Sequence, residues 1–198
     1  MNNYNQDTFL LNNKINNQEI KYNDGCRYVG QVVNGIREGK GILYRPDGDR
    51  YEGDFKNGKG DGKGIYYYAS GDRYEGDYKN GKKDGKGIYY YWLNGDRYEG
   101  EWKNDKKDGK GINYHANGDR YEGDFKNGIY EGKGIYYYNR EPCKGDRYEG
   151  DYRNGKEEGK GIYYYNNGDR TMGDYLNDKP KGKHAILYSN GNISSTKF

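Results

Sequence analysis

Arg50-Tyr51-Glu52-Gly53-Asp54-Phe55-Lys56-Asn57-Gly58-Lys59-Gly60-Asp61-Gly62-Lys63-Gly64-Ile65-Tyr66-Tyr67-Tyr68-Ala69-Ser70-Gly71-Asp72 carries the plan of the chain. Arg50 to Lys56 alternates ring or glycine with charge at period two, the pattern of a half-exposed strand. Asn57-Gly58-Lys59-Gly60-Asp61 is dense in residues that accept positive φ and reads as a hairpin loop. Gly62 to Tyr68 is the return strand, and Ala69-Ser70-Gly71-Asp72 turns into the next unit, where other copies have Asn94-Gly95, Asn117-Gly118 and Asn167-Gly168.

The unit recurs seven times. Tyr-Glu-Gly stands at Tyr51, Tyr74, Tyr98, Tyr121 and Tyr148, with altered copies at Tyr28-Val29-Gly30 and Thr171-Met172-Gly173. Gly-Lys-Gly begins eleven residues later in each, at Gly39, Gly62, Gly85, Gly109, Gly132 and Gly159, and becomes Gly182-Lys183-His184 at the end. The return to the next unit is elastic, with Asn139-Arg140-Glu141-Pro142-Cys143-Lys144 in the longest connection. A constant segment joined by variable ones predicts stacked hairpins, since paired strands fix register while outer connections tolerate insertion. The insertion reads as a tolerated surface loop, with a partner-specific finger as the alternative.

Alternation places Tyr51, Gly53, Phe55, Gly62, Gly64, Tyr66 and Tyr68 on one face, A, and Arg50, Glu52, Asp54, Lys63, Ile65 and Tyr67 on the other, B. A register summing to 117 sets Gly53 against Gly64, Tyr51 against Tyr66 and Asp54 against Lys63. The glycines then leave a lane into which rings lie flat. Seven hairpins make fourteen strands, a rod roughly 65 Å long at about 4.8 Å per strand. Val32, Leu43 and Arg45 in the first copy, and Thr171, Met172, His184 and Ile186 in the last, read as caps. Ile20-Lys21-Tyr22 and Asn192 to Phe198 read as half-units closing the edges. The expected organisation is an N-terminal extension over 1–19, disordered or a short helix, then the array over 20–192 with hairpins starting near 28, 51, 74, 98, 121, 148 and 171, and a cap over 193–198.

Composition supports an open sheet. Mean hydropathy is −1.47 and only 31% of residues are hydrophobic, too few for an aliphatic core, yet there are 27 Tyr, whose rings bury while their hydroxyls stay wet. Lys+Arg 34 against Asp+Glu 31 leaves +3, which makes nucleic acid an improbable partner. The chain has no apolar run of about 18 residues and no signal-like start, so a soluble, cytoplasmic protein is expected. Cys26 and Cys143 read as unpaired thiols.

Tyr-Glu-Gly-x-aromatic-x-Asn-Gly, then Gly-x-Gly-x-Tyr-x-Tyr, then Asn-Gly-Asp closely resembles the MORN repeat (membrane occupation and recognition nexus) over about residues 25 to 191. The resemblance implies an all-β fold, an elongated single-layer twisted antiparallel ribbon of stacked hairpins forming an open solenoid. It also implies a groove that holds protein segments, and association with membranes, cilia, the cell cortex or the cytoskeleton. The chain departs from the family pattern at Tyr67, Tyr90, Tyr114, Tyr137 and Tyr164, where a small polar residue is common, so face B gains a tyrosine row. Trp102, Asn113 and His115 alter the middle.

Catalysis is not expected. The carboxylates Glu52, Glu75, Glu99, Glu122 and Glu149 are equivalent by repetition, whereas acid–base pairs need distinct environments. His115 and His184 lie three repeats apart, no phosphate-loop or calcium-loop spacing occurs, and neither a cofactor nor a metal is implied. The expected function is a non-enzymatic scaffold holding an amphipathic helix or extended peptide in an aromatic groove. The groove rings would be Tyr51, Phe55, Tyr66, Tyr74, Tyr78, Tyr89, Tyr98, Trp102, Tyr121, Phe125, Tyr136, Tyr148, Tyr152 and Tyr163. Pairing of two rods through that groove is a variant. The alternative is a peripheral membrane module in which Lys82, Lys83, Lys106 and Lys107 at the hairpin loops bind anionic phosphoinositides.

Overall fold

The computed structural model describes residues 16–198 and holds sixteen strands, all in one antiparallel sheet and each hydrogen-bonded only to its sequence neighbours. An edge strand, β1 (Asn16–Lys21), leads into seven hairpins. They are β2 (Arg27–Val33) with β3 (Ile36–Tyr44), β4 (Arg50–Lys56) with β5 (Lys59–Tyr67), β6 (Arg73–Lys79) with β7 (Lys82–Tyr90), and β8 (Arg97–Lys103) with β9 (Lys106–Tyr114). Next come β10 (Arg120–Lys126) with β11 (Ile129–Tyr137), β12 (Arg147–Arg153) with β13 (Lys156–Tyr164), and β14 (Arg170–Leu176) with β15 (Lys179–Leu187). The second edge is β16 (Ile193–Lys197). The protein is all-β, an open ribbon of hairpins with no helix among the described residues. Residues 16–19, expected in an extension, are sheet: Glu19 pairs with Val29 and Gln18 with Gly30. The disordered-or-helical reading of 1–15 lies outside the described residues.

The turn is tighter than the sequence suggested. Lys56 pairs with Lys59, so the loop is Asn57-Gly58 alone, with φ of 49° and 78°, the left-handed pair that matches strand twist. Asn104-Asp105 and Asn177-Asp178 make the same turn without glycine. Lys59 to Asp61 belongs to β5 because a bulge between Gly53 and Phe55 shifts the pairing by two. Tyr51 faces Tyr66 and Gly53 faces Gly64 as expected, but Asp54 does not face Lys63. Asp54 instead pairs with Lys40 of the preceding hairpin, ion-paired at 2.6 Å, and Lys63 reaches Asp77 of the next at 2.6 Å. The other oxygen of Asp54 accepts the Lys63 backbone N–H at 3.0 Å across the bulge. The ladder of exposed pairs therefore joins hairpins, each pair contributing about 0–1 kcal/mol.

Face A is the core. Tyr51 lies across Gly64 so closely that a Cβ there would sit 2.5–2.6 Å from its ring and hydroxyl, and that hydroxyl donates to the Asp54 carbonyl at 2.9 Å. The same bond recurs from Tyr28, Tyr74, Tyr98, Tyr121 and Tyr148. A second ring, four residues on, stands edge-on between neighbouring tyrosines: Tyr51 to Phe55 is 5.0 Å at 90°, and Tyr51 to Tyr78 is 4.9 Å at 82°. The edge-to-face chain runs unbroken from Tyr28 through Phe55, Tyr51, Tyr78, Tyr74, Trp102, Tyr98, Phe125, Tyr121, Tyr152, Tyr148, Tyr175 and His184 to Phe198. Such contacts add about 0.5–1.5 kcal/mol each beyond burial.

The last hairpin swaps partners and keeps the design. Thr171 stands at the tyrosine position, and the ring comes from the opposite strand as His184, which lies over Gly173 and contacts the Asp174 carbonyl through Nε2 at 2.8 Å.

Tyr78 and Tyr152 are buried with hydroxyls that lack a partner among the described residues, at a position that is Phe55 and Phe125 in other hairpins. An enclosed unpaired hydroxyl costs about 1–3 kcal/mol. Tyr78→Phe is expected to raise the unfolding free energy by about 1 kcal/mol, whereas Tyr51→Phe, which loses a made bond, lowers it by about 1 kcal/mol. Urea denaturation of the two variants checks the pair of signs.

Candidate functional site

The rings expected to line a groove are mostly inside. Tyr51, Phe55, Tyr74, Tyr78, Tyr98, Trp102, Tyr121, Phe125, Tyr148 and Tyr152 are all at most 8% exposed, because each meets rings of its own and of a neighbouring hairpin edge to face. Their expected role as an open partner-facing surface is corrected accordingly. Tyr66, Tyr89, Tyr136 and Tyr163 form an outer, half-buried row packed against them. Each of the four donates its hydroxyl to an aspartate of the Asn-Gly-Asp connections, Asp49, Asp72, Asp119 and Asp146, at 2.6, 2.9, 3.2 and 2.8 Å. The other oxygen of these aspartates accepts a backbone N–H from the following connection, as in Ala69 to Asp49 at 2.8 Å. The connection aspartate is thus a clamp between hairpins, a role that the sequence reading missed by taking it only as a turn residue. In the fourth hairpin Asn113 replaces the tyrosine, and His115 Nδ1 lies 3.5 Å from Asp96.

The four lysines expected to form a basic edge divide into two pairs. Lys82 and Lys106 are exposed beside the turns, while Lys83 and Lys107 fold back over face A. Lys83 Nζ lies 4.8 Å from the Trp102 ring centre and 4.9 Å from that of Tyr89, and donates to the Tyr68 hydroxyl at 3.2 Å. Lys107 Nζ lies 4.5 Å from the Tyr98 ring and donates to Asn113 Oδ1 at 3.0 Å. These two ammonium groups are cation–π struts within the core, so the expected phosphoinositide row keeps only Lys82 and Lys106. The hairpin acids are likewise engaged: Asp61 accepts the Asn80 N–H at 3.0 Å and Glu131 the Asn154 N–H at 2.9 Å, holding the next turn.

The open surface is on face B. A channel of about 2140 Å³ passes every hairpin, from Asn17 to Ala185. Its floor is the paired glycines with Ile42, Ile65, Ile88, Ile112, Ile135 and Ile162, and its rim is Glu52, Glu75, Glu99, Glu122 and Glu149 with lysines such as Lys63 and Lys86. The face B tyrosine row flanks it under arginines. Arg50 stacks 4.1 Å above Tyr67, Arg97 4.2 Å above Tyr114, Arg120 4.2 Å above Tyr137 and Arg147 3.7 Å above Tyr164. The signal for the channel was present in the sequence as an isoleucine after Gly-Lys-Gly in the inner copies, on the face opposite the expected groove. Among the described residues no three His, Cys, Asp or Glu side chains gather as a metal site.

The family model for the MORN repeat matches residues 28–50, 51–73, 74–91, 98–120, 121–140 and 148–170, well over half of the chain, and the protein belongs to the MORN-repeat family. Its last hairpin, β14–β15, lies beyond those matches. Among solved structures, the chain is similar to the TCP domain of SAS-4 (dCPAP) of Drosophila melanogaster, in complex with a proline-rich motif of Ana2 (dSTIL). The identity is 15%, 92% of this chain and 90% of that chain are covered, and the TM-score is 0.52. A mutant TCP10 domain of Danio rerio CPAP is similar at 12% identity, covering 91% of this chain and 99% of that one, with a TM-score of 0.49. No curated protein matches the chain.

Burial by rings pulls the Lys107 ammonium down to about 8, against the opposing pull of Asp96. The unfolded chain holds that proton to about 10.4, so between pH 8 and 10 the unfolded state binds more protons and stability gains from this group as pH rises. An NMR titration of the lysine side chains is expected to show a Lys107 midpoint near 8. The stability of the wild type relative to Lys107→Met should climb across the same window, and a flat difference would contradict the burial of this charge.

Proposed function

We propose that the chain is a non-enzymatic scaffold that holds an extended, proline-rich segment of a partner protein along the face B channel. The observation that carries this reading is the channel's period. Two strands at about 4.8 Å advance the floor by about 9.6 Å per hairpin. A polyproline II segment advances about 9.3 Å per three-residue turn, so one turn per hairpin sets the same side chain over the same Gly-Ile floor each time. An α-helix, at about 5.4 Å per turn, falls out of step within one hairpin. The floor offers isoleucine and bare backbone for proline rings, and the Glu and Lys rim offers both signs of charge to the flanking residues. The similar SAS-4 domain, whose partner is a proline-rich motif, adds support by analogy of fold. A cytoskeletal, ciliary or cortical setting rests on the family resemblance.

Calorimetry with a synthetic peptide carrying proline at every third residue tests the reading. Binding is expected for the wild type and for Tyr66→Phe on face A. It should fall at least about tenfold in the Ile88→Asp, Ile112→Asp double variant, since a carboxylate on the floor must be desolvated by the occupant. Loss in Tyr66→Phe with retention in the double variant would overturn it.

A further inference from the structure

One position on face A changes character along the array. It is the residue that pairs with the edge-on ring: Lys83 with Tyr78, Lys107 with Trp102, Tyr130 with Phe125 and Glu157 with Tyr152. In the third and fourth hairpins this position puts the chain's own ammonium against ring faces, over Trp102 and over Tyr98. In the first, Arg37 does similar work, 5.6 Å from the Phe55 ring centre. In the fifth, Tyr130 fills the space by stacking on Tyr121 at 3.6 Å and 10°. In the sixth the position is an acid. Glu157 is 7% exposed, and among the described residues its carboxylate takes one hydrogen bond, from the Tyr138 hydroxyl at 3.0 Å.

Beside this carboxylate is a cavity of about 400 Å³, within the range of small-ligand sites at about 300–1,000 Å³. Its walls include Tyr136, Tyr138, Tyr152, Tyr163, Tyr165 and Tyr175. Arg140, from the longest connection, lines it too, but its guanidinium is directed to Asp119, with Nε 3.4 Å from Oδ2. We propose that the Glu157 cavity is a receptor for the primary ammonium of a partner protein's lysine, which seats among these rings as Lys83 and Lys107 seat among theirs.

The chemistry fits each part. Ring faces attract a cation, most strongly where water is excluded. A buried carboxylate without a counter-ion supplies the acceptor that a primary ammonium requires and a quaternary one cannot use. Burial, with the charge of Asp178 adding to it and the Tyr138 bond opposing, pushes the Glu157 carboxyl up to about 7, the mark of an acid that lacks its cation. The insertion in the longest connection brings Arg140 to the cavity wall, so that loop and the acid of the aligned row meet at the same place. The inference is independent of the channel, which lies on the opposite face, so either can fail without the other.

The test is an NMR titration of the full chain, labelled in its tyrosine rings, at a pH above 7 with n-butylammonium as probe. Saturable shifts are expected at Tyr138, Tyr152 and Tyr163, and at least about tenfold weaker binding in Glu157→Gln, since one charge-assisted bond is lost. Glu157→Lys should fold, melt at a higher temperature and no longer bind the probe, because its own ammonium fills the site. Tetramethylammonium should bind more weakly than n-butylammonium, and the peptide Ac-Gly-Lys-Gly-NH2 should shift the same resonances. The absence of saturable shifts in the wild type, or equal affinity in Glu157→Gln, overturns the receptor. Binding of butylammonium without binding of the peptide overturns the protein lysine as its occupant.

Discussion

A tyrosine ring lying across a pair of glycines is the contact on which this structure depends. A single-layer sheet has no second layer to cover its apolar face. Here each hairpin supplies its own cover: Tyr51 folds along its strand over Gly64, its hydroxyl closes on the Asp54 carbonyl, and Phe55 seals the edge toward Tyr28. Because these rings also meet rings of a neighbouring hairpin, burial is shared between repeats, and no hairpin completes its core alone. This is the one-dimensional energetics of a solenoid, with neighbour terms dominating. Where the tyrosine is missing, at Thr171, a ring returns from the other strand as His184. The constraint is occupancy of the glycine lane, whichever strand fills it.

Secondary devices fix the spacing between repeats. On the outer side, one aspartate carboxylate accepts both a tyrosine hydroxyl and a backbone N–H from the next connection, as Asp49 does from Tyr66 and Ala69. On the hairpin side, an acid such as Asp61 or Glu131 accepts an N–H of the next turn. On face B, Lys40–Asp54 and its equivalents cross between hairpins. These clamps leave the face B isoleucines and the backbone behind the paired glycines uncovered, and that gives the molecule a channel whose period a partner can match.

Much of this was legible because repetition amplifies weak signals. Hairpin number, the face alternation and the Tyr51–Tyr66 and Gly53–Gly64 register follow from spacing and alternation. The bulge after Gly53 was not legible, since two extra residues in the return strand leave period two intact on either side and shift only what Asp54 and the residues beyond it meet. Accessibility was misjudged for a related reason: alternation says which rings share a face, but not that they tile edge-to-face and bury one another. Lys83 and Lys107 look like loop charges in sequence, yet two-residue turns draw them into the sheet and onto the rings. Glu157 could have been singled out as the acid among Arg37, Lys83 and Lys107 at one aligned position, once the bulge was known.

The central claim is tested most directly by comparing Gly64→Ala with Ile65→Ala in urea denaturation. The first adds one methyl group to the chain and the second removes three carbons from it. The account predicts that the added methyl is the more destabilising, because it displaces Tyr51 and opens the ring chain on both sides, while Ile65 faces the channel and loses only partial burial. A Gly64→Ala protein as stable as the wild type, with Ile65→Ala strongly destabilised, would contradict it.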